Sequence, residues 1–289
     1  MGSDHLLGRI ETIIGQRPDG LEALSGGCVG EVYGVSMPDG HDLVAKVGGS
    51  GATDTGLMLE RRMLAYLGEH SDVPVPDVLF ADNDLLLMER LPSGGGLGGD
   101  VQRHAADLIA ALHSVTTDQG FGFSFDTVIG GLPQPNAWRE HWRDFFAQQR
   151  LVYMATEAER VGRLPSDLRA RVERFANAID RWITEPAEPS LIHGDLWGGN
   201  VLSKSGRITG LIDPAIYYAD PEIELAFSTL FSTFGDAFFS RYQEHCPLQP
   251  GFFEERRDIY NLYPLLVHVR LFGGSYVTSV EHTLNRFGF

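Results

Sequence analysis

The feature that most constrains the fold is the segment His193–Asn200, which reads HGDLWGGN. Three short apolar runs flank it, at 190–192, 201–203 and 208–212. The last two are separated by a Ser-Gly pair, which is typical of a turn, so they predict a β-hairpin. A hairpin returns the chain beside its own start, and we therefore expect Asn200 and Asp213, at its two ends, to be neighbours.

The polar residues of this loop have the types and spacing that phosphoryl transfer requires. Asp195 precedes Asn200 with the D-x-x-x-x-N spacing of a kinase catalytic loop. The reaction needs a base for the incoming hydroxyl, and oxygen ligands that hold Mg²⁺ against nucleotide phosphates. We predict Asp195 as the base, and Asn200 and Asp213 as metal ligands. Turn aspartates and a capping asparagine are the plainer interpretation, which the common register of the three residues disfavours.

A glycine-rich stretch near the N-terminus is a candidate phosphate-binding loop. The segment SGGCVGEV at 25–32 fits the kinase template G-x-G-x-x-G-x-V, with Ser25 in place of the first glycine. Glycine lets the backbone come close enough to offer N–H groups to phosphate oxygens. By itself the match is weak, because a plain hairpin turn has the same composition. The predicted phosphate-binding glycines are Gly26, Gly27 and Gly30.

Lys46, in the apolar run LVAK, strengthens that interpretation. A lysine at a buried strand end seldom stays unpaired, and Glu60 on the next predicted helix is its candidate partner. Such an ion pair would orient Lys46 toward the α and β phosphates. A surface lysine that extends its ammonium group into solvent is the alternative.

The predicted elements divide the 289-residue chain into two parts, giving an α+β fold class. Residues 1–90 are predicted to form a small antiparallel sheet with one helix, and residues 91–99 a glycine-rich hinge. Residues 100–289 are predicted to be mainly helical. The predicted helices are 100–114, 136–159, 165–185, 221–243 and 252–285.

The hinge contains a competing motif, GGGLGG at 94–99, which fits the dinucleotide-binding pattern G-x-G-x-x-G. No strand ending in an acidic residue follows about twenty positions later, as that fold requires. A flexible connection therefore explains the glycines better than a nicotinamide site.

Charge and cysteine content narrow the class of function. The net charge of −16 disfavours nucleic acid and anionic membrane surfaces as partners. No apolar run has the length of a membrane span, and no signal-peptide pattern begins the chain, so we expect a cytoplasmic protein. Cys28 and Cys246 support neither a disulfide framework nor a zinc site. Cys28 lies in the predicted phosphate loop, as a redox-sensitive thiol or simply as a small loop residue.

Two further residues are candidates for binding substrate. Trp197 would place a flat apolar ring beside the predicted base, which suits the C–H face of a sugar, although packing against helices is equally plausible. His268 is a candidate pocket residue, and a satisfied core histidine is the plainer interpretation. Five phenylalanines at helical spacing are instead predicted to pack in the core: Phe227, Phe231, Phe234, Phe238 and Phe239.

With these residues in hand, the sequence resembles the fructosamine kinase (ketosamine-3-kinase) family, within the wider aminoglycoside phosphotransferase and choline kinase-like group. The marks are HGDLWGGN, LIDPAIYYADPEIELA at 211–226, GLPQPNAWREHW at 131–142 and LLVHVRLFGGSY at 265–276. The chain departs from protein kinases at Ser25, and at Asp213-Pro214-Ala215, which stands where they have Asp-Phe-Gly.

The resemblance implies a bilobal protein-kinase-like fold, ATP and Mg²⁺ as cofactors, and phosphorylation of the third sugar hydroxyl of a ketosamine such as a glycated lysine. It implies the roles already given to Asp195, Asn200 and Asp213. The resemblance alone adds an adenine-side hinge formed by Met88, Glu89 and Leu91.

Two alternatives remain at this point. The acceptor could be an aminoglycoside, choline or homoserine, with the same chemistry. The chain could also be a nucleotide-binding pseudokinase that acts through partners, which the presence of base, metal ligands and lysine together disfavours.

Overall fold

The structure is a computed structural model, and it describes residues 2–24, 30–48 and 56–289. The chain divides into two compact units. One comprises Met1–Gly96 and Gly199–Pro214, and the other comprises Leu97–Gly198 and Ala215–Phe289. These units interleave along the chain, whereas the predicted limits 1–90, 91–99 and 100–289 follow chain order and stay a prediction.

The described residues form helices and short strands. The helices are α1 (Ser3–Ile14), α2 (Gly56–His70), α3 (Gly99–His113), α4 (Trp142–Phe145), α5 (Tyr153–Arg160), α6 (Ser166–Ala176), α7 (Glu222–Leu230), α8 (Asp236–His245), α9 (Arg257–Phe272) and α10 (Ser275–Arg286). The strands are β1 (Gly20–Ala23), β2 (Glu31–Ser36), β3 (Leu43–Val47), β4 (Val78–Ala81), β5 (Leu85–Glu89), β6 (Thr127–Ile129), β7 (Leu132–Gln134), β8 (Ser190–Ile192), β9 (Val201–Lys204), β10 (Arg207–Leu211) and β11 (Tyr217–Ala219). Irregular helical turns occupy Phe146–Val152, Ile179–Arg181, Gly198–Asn200 and Phe252–Arg256.

The first unit is built on a five-stranded antiparallel sheet in the order β1-β2-β3-β5-β4. Successive residues of β5 face opposite sides, as strand geometry requires. Leu85 and Leu87 pack in the cluster that includes α1, and Leu86 and Met88 pack in the cluster that includes α2. Lys46 pairs with Leu86, so its side chain lies on the α2 face. This register brings Lys46 to the helix that carries Glu60.

The first unit holds α1 in addition to the one helix that was predicted there. Only Leu6 and Ile10 of α1 are buried, and two apolar positions are too few to stand out as a periodic pattern. The α+β class itself is confirmed.

The β9–β10 hairpin packs on residues 91–96 of its own unit. Gly95 N donates to the carbonyl oxygen of Ser203 at 2.8 Å, and Leu211 N donates to that of Pro74 at 2.8 Å. A Cβ at position 210 would lie 2.2 Å from Leu91 Cδ1, so a larger residue there would displace the Leu91 side chain where the hairpin meets this segment. The glycine-rich segment therefore supports the hairpin and is not a dinucleotide loop.

The second unit is mainly helical. Helix α3 packs on α8, and α9 packs on α5, α7 and α10. Two short antiparallel pairs lie among the helices, β6 with β7 and β8 with β11. Four predicted helices are wrong in extent. The predicted helix 165–185 ends at Ala176 and is followed only by a short turn at Ile179–Arg181. The segment at 136–159 becomes helical only at Trp142, after the β6–β7 hairpin and its prolines; 221–243 is interrupted where Ser232 has φ 55°; and 252–285 is interrupted at Gly273-Gly274.

Within the described ranges, no helix is both long and apolar enough to cross a bilayer.

Candidate active site

Lys46 is the centre of a charged cluster in the first unit. Its Nζ donates to Glu60 Oε1 at 2.5 Å and also forms an ion pair with Asp213 Oδ1. The Lys46 side chain is 11% exposed. Burial alone would lower the pKa of Lys46, but the negative charges of Glu60 and Asp213 outweigh it and raise the pKa above its ordinary value. The group therefore stays an ammonium ion at neutral pH.

Asn200 and Asp213 lie at the two ends of the β9–β10 hairpin, as the sequence suggested. Ile212 N donates to the carbonyl oxygen of Asn200 at 3.1 Å, which closes the hairpin just before Asp213. Asp213 has φ 55°, in the left-handed region that costs a non-glycine residue roughly 1–2 kcal/mol. Residues with a strained backbone often lie at functional sites, where the strain is tolerated because it positions a functional side chain. Here that side chain is the carboxylate of Asp213.

The side chains of Asn200 and Asp213 fit a magnesium ion chemically. Mg²⁺ prefers hard oxygen ligands and takes few of them from the protein, the rest coming from water and nucleotide phosphates. An amide oxygen and a carboxylate at adjacent hairpin ends are such a set. Their role as metal ligands stays a prediction.

Of the predicted phosphate-loop glycines, Gly30 is described. It has φ 85°, and a Cβ there would lie 2.5 Å from the carbonyl oxygen of Val47, so only glycine fits at the start of β2. Gly26, Gly27 and Cys28 lie outside the described residues.

The predicted adenine-side hinge begins at the end of β5. Met88 is buried in the α2-side cluster. Glu89 N donates to the carbonyl oxygen of Asp77 at 2.9 Å, so this N–H is already used within the protein. Leu91 packs against Gly210 of the hairpin. These contacts assign packing to Met88 and Leu91, and their part in adenine binding stays a prediction.

In the second unit, Asp195 follows β8 in a tightly constrained loop. Ala215 N donates to the carbonyl oxygen of His193 at 2.8 Å, continuing the β8–β11 pairing. Gly194 has φ 83°, and a Cβ there would lie 2.0 Å from the carbonyl oxygen of Ala215. The glycine before Asp195 is therefore required by both conformation and space.

Glu224 of α7 holds this loop through hydrogen bonds to its backbone, a role that the sequence did not reveal. Its carboxylate accepts from Gly194 N at 2.7 Å and from His193 N at 3.2 Å, and contacts His113 Nε2 at 2.9 Å. Burial alone would raise the pKa of Glu224, but the bond to His113 and the charges of His113 and His193 hold the pKa below its ordinary value. The sequence signal that could have indicated this role is a single charged residue, Glu224, within the apolar stretch IELAF.

Asp195 and His268 line the same small pocket, which has a cavity volume of about 40 Å³. Its other walls are largely apolar and include Tyr217, Phe227 and Tyr263. His268 Nδ1 lies 2.7 Å from the carbonyl oxygen of Pro264, so Nδ1 carries the proton and Nε2 can act as an acceptor. Burial lowers the pKa of His268, which keeps the ring neutral at pH 7.

Gln134, within the GLPQPN motif, is a second positioning residue that the sequence analysis missed. Its Nε2 donates to the carbonyl oxygen of Ala215 at 3.0 Å, and its Oε1 accepts from the hydroxyl of Tyr263 at 2.6 Å. It therefore joins the pocket wall to the segment that follows Asp213 in sequence. The side chain is completely buried, so both bonds are protected from water.

Trp197 is 38% exposed, with its ring centroid 6.2 Å from that of Phe231. Phe231 is 40% exposed, so its predicted place in the core is wrong. The other four phenylalanines of the series are buried. Phe231 differs in that α7 ends at Leu230, so helical spacing no longer applies to the next residue.

A family model described as fructosamine kinase matches residues 10–287 of the chain. The chain belongs to this family. By that membership it is a ketoamine kinase, a phosphotransferase that acts on an alcohol group. A protein of Synechocystis sp. named a probable ketoamine kinase is 38% identical over 208 residues, covering 71% of this chain and 68% of the relative.

Solved structures agree with the fold. A structure from Thermobifida fusca named a "putative fructosamine-3-kinase" has a TM-score of 0.86 and 30% identity, covering 98% of both chains. A mutant of aminoglycoside phosphotransferase APH(4)-Ia, in a ternary complex with AMP-PNP and hygromycin B, has a TM-score of 0.67 and 19% identity, covering 98% of both chains. The latter likeness concerns the fold alone.

Proposed function

We propose that this ketoamine kinase transfers the γ-phosphoryl group of ATP, with Mg²⁺, to the third hydroxyl of a ketosamine. The observation that carries the proposal is Lys46, held as an ammonium ion by Glu60 and by Asp213 at the end of the hairpin. A lysine fixed between two carboxylates suits the neutralisation of phosphate charge, which is the main demand of phosphoryl transfer.

The residues of the first unit serve the nucleotide in this proposal. Lys46 binds phosphate oxygens, and Glu60 orients it. Asn200 and Asp213 would hold Mg²⁺, which neutralises charge on the phosphates when bound. The glycine loop, with Gly30, offers backbone N–H groups to the phosphates, and Met88, Glu89 and Leu91 flank the adenine.

The residues of the second unit serve the acceptor. Asp195 accepts the proton of the attacking hydroxyl. His268, with Nε2 unprotonated, accepts a hydrogen bond from the substrate. Trp197 stacks on the apolar face of the substrate. Glu224 and Gln134 touch no reacting atom and act by holding the Asp195 loop and the segment at Ala215.

Aminoglycosides are weaker candidates for the acceptor because they carry several ammonium groups. A site for them needs several available carboxylates, whereas Asp195 and Glu224 are the carboxylates that line the described pocket. Glu224 is already engaged by His113, His193 and Gly194. A ketosamine carries one amine, and it therefore requires fewer carboxylates than an aminoglycoside does.

An acceptor panel tests the proposal. We would measure ADP release in the presence of MgATP with an N-fructosyl amine, the same amine without its sugar, an aminoglycoside, choline and homoserine. We expect turnover with the fructosyl amine alone, and ³¹P and ¹³C NMR of the product should place the phosphate on the third carbon. Turnover of another acceptor without the ketosamine would refute the proposed substrate, and no turnover of any acceptor would favour a pseudokinase.

A further inference from the structure

Five aromatic side chains of the second unit form a continuous series, which we name the aromatic face. Its members are Trp197, Phe231, His268, Phe272 and Tyr276. The ring centroids of Trp197 and Phe231 are 6.2 Å apart, and those of Phe231 and His268 are 5.2 Å apart. His268 lies 4.8 Å from Tyr276 and 5.8 Å from Phe272. Every member therefore touches at least one other.

The aromatic face is unusually open to solvent for its composition. Phe272 is 57% exposed, Phe231 40% and Trp197 38%. Among the described residues, these are half of the six large hydrophobic side chains that are exposed. Soluble proteins rarely leave contiguous apolar surface in water without a use for it.

The backbone conformation at the end of α9 and the start of α10 brings three rings of the aromatic face together. His268 and Phe272 are four residues apart on α9 and so lie on one side of that helix. Gly273 and Gly274 have φ 66° and 63°, and this glycine pair turns the chain so that Tyr276, in the first turn of α10, lies against His268. Arg163 donates to the carbonyl oxygens of Arg270 and Leu271, which fixes the end of α9.

The aromatic face is continuous with the acceptor pocket. His268 belongs to both, since it lines the pocket together with Asp195. Trp197 is two residues beyond Asp195 in the same loop. A substrate whose hydroxyl contacts Asp195 therefore has the aromatic face as its neighbouring surface.

We propose that the aromatic face binds the substituent on the amine nitrogen of the ketosamine, and that the enzyme therefore prefers ketosamines of aromatic or long alkyl amines. The inference rests on the proposed function. The phosphorylated oxygen and the amine nitrogen are four bonds apart, a span of about 5 Å. The amine substituent thus begins close to the Asp195 loop.

The chemistry of the face favours the amine side of the substrate over the sugar side. Carbons four to six of the sugar carry hydroxyls, each of which needs a hydrogen-bond partner when it leaves water. The two most exposed rings of the face, Phe272 and Phe231, carry no polar atom and offer no such partner. An alkyl or aryl substituent needs none, and the adjacent protonated amine is attracted to the faces of aromatic rings.

A matched pair of substrates with one sugar tests the inference, namely N-fructosyl-methylamine and N-fructosyl-phenethylamine. The wild-type enzyme should have the lower KM for the phenethylamine derivative. Phe272→Ala should raise that KM about fivefold to tenfold, the worth of one aromatic contact, and change the KM for the methylamine derivative less than twofold. The kcat values should stay unchanged, and Phe272→Tyr should restore the wild-type KM.

Phe253→Ala is the matched control, because Phe253 is 39% exposed and its ring contacts Phe239 and Phe252 instead. An equal change of KM for both substrates, or no change, would overturn the inference. A third substrate, N-erythrulosyl-phenethylamine, has a shorter sugar on the same amine. The inference would also be overturned if KM changed with the length of the sugar and did not change with the amine substituent. If the wild-type enzyme phosphorylated neither fructosyl amine, the proposed function would fail and the inference with it.

Discussion

The two sets of site residues solve different physical problems. In the first unit, the ammonium group of Lys46 pairs with the carboxyl groups of Glu60 and Asp213 at hydrogen-bond distance. In the second unit, Asp195 shares a pocket with apolar and aromatic walls, and its loop is held by Glu224. In the proposed function, charge pairing therefore serves the phosphates, whereas shape and apolar surface serve the acceptor.

The difference also concerns how each set is supported. Lys46 is held directly by its two ion-pair partners, which contact the ammonium group itself. The Asp195 loop is held through backbone N–H groups, by a carboxylate that belongs to another helix. Substitutions in the first set should therefore affect the nucleotide, and those in the second should affect the acceptor and the rate.

The largest effect is expected from Asp195→Asn. The variant should lose roughly 10² to 10⁴ in kcat, because an amide cannot accept the hydroxyl proton, while ATP binding is retained. Stopped assays of ADP formation and calorimetric titration with ATP would measure both. Asp118→Asn, at an exposed position of the same unit, is the control. Near-normal turnover of Asp195→Asn would contradict its role as base.

The next largest effect is expected from Lys46→Met. We expect kcat/KM for ATP to fall about 100-fold, as for the loss of a preorganised charge. The unfolding free energy should fall by about 3 kcal/mol, since two partly buried carboxylates lose their partner. The only other lysine, the exposed Lys204, provides the control Lys204→Met. A rise in the KM for the ketosamine without a rise in the KM for ATP would contradict the proposal that Lys46 serves the nucleotide.

Glu224→Gln should have a smaller effect on catalysis and a clear effect on stability. We expect a roughly tenfold lower kcat with an unchanged KM for ATP, and an unfolding free energy lower by about 3 kcal/mol at pH 7. The exposed Glu244→Gln is the control. A change in the KM for ATP without a change in kcat would show that Glu224 does not act through the Asp195 loop.

The same variant should change the response to acid. Because the folded state holds the pKa of Glu224 below its ordinary value, the carboxylate contributes stability above about pH 4.5, the unfolded value. That contribution is lost as the pH falls through the folded pKa. Urea titrations between pH 3 and pH 7 should therefore show a shallower pH dependence for Glu224→Gln than for the wild type.

The smallest effect on catalysis is expected from Gln134→Leu. It leaves the Tyr263 hydroxyl and the Ala215 carbonyl without their partner in a buried place, which costs about 1–3 kcal/mol for each. We expect a lower melting temperature and a threefold to fivefold loss of kcat, an estimate of about 1 kcal/mol in the barrier. Gln119→Leu, at an exposed site, should change neither quantity.

Much of the site was accessible from sequence because short motifs carry it. The loop at His193–Asn200, the hairpin that follows it and the apolar run ending in Lys46 each have a local pattern. The strand register then places Lys46 on the face of the helix that carries Glu60. The exposure of Phe231 was not predictable, since helical spacing alone does not reveal that α7 ends one residue earlier.

The supporting residues show the limit of local patterns more clearly. Glu224 and Gln134 look like ordinary polar residues in apolar surroundings, and their partners are far away in sequence. His113 is 111 residues from Glu224, and Tyr263 is 129 residues from Gln134. No spacing rule connects positions that are brought together only by helix packing.

By itself the sequence determined which chemical groups the candidate site contains, namely carboxylates, an amide and an ammonium group, and where its glycine turns fall. The catalytic roles of these groups stay predictions. The charge of a side chain follows from its residue type, and turn conformation depends mainly on adjacent residues. Both can therefore be inferred from short segments of the sequence. The tertiary structure alone decided which carboxylate holds the Asp195 loop and which aromatic rings stay in solvent. Those outcomes depend on packing between distant segments, where burial and the pairing of polar groups are settled only when the whole unit has folded.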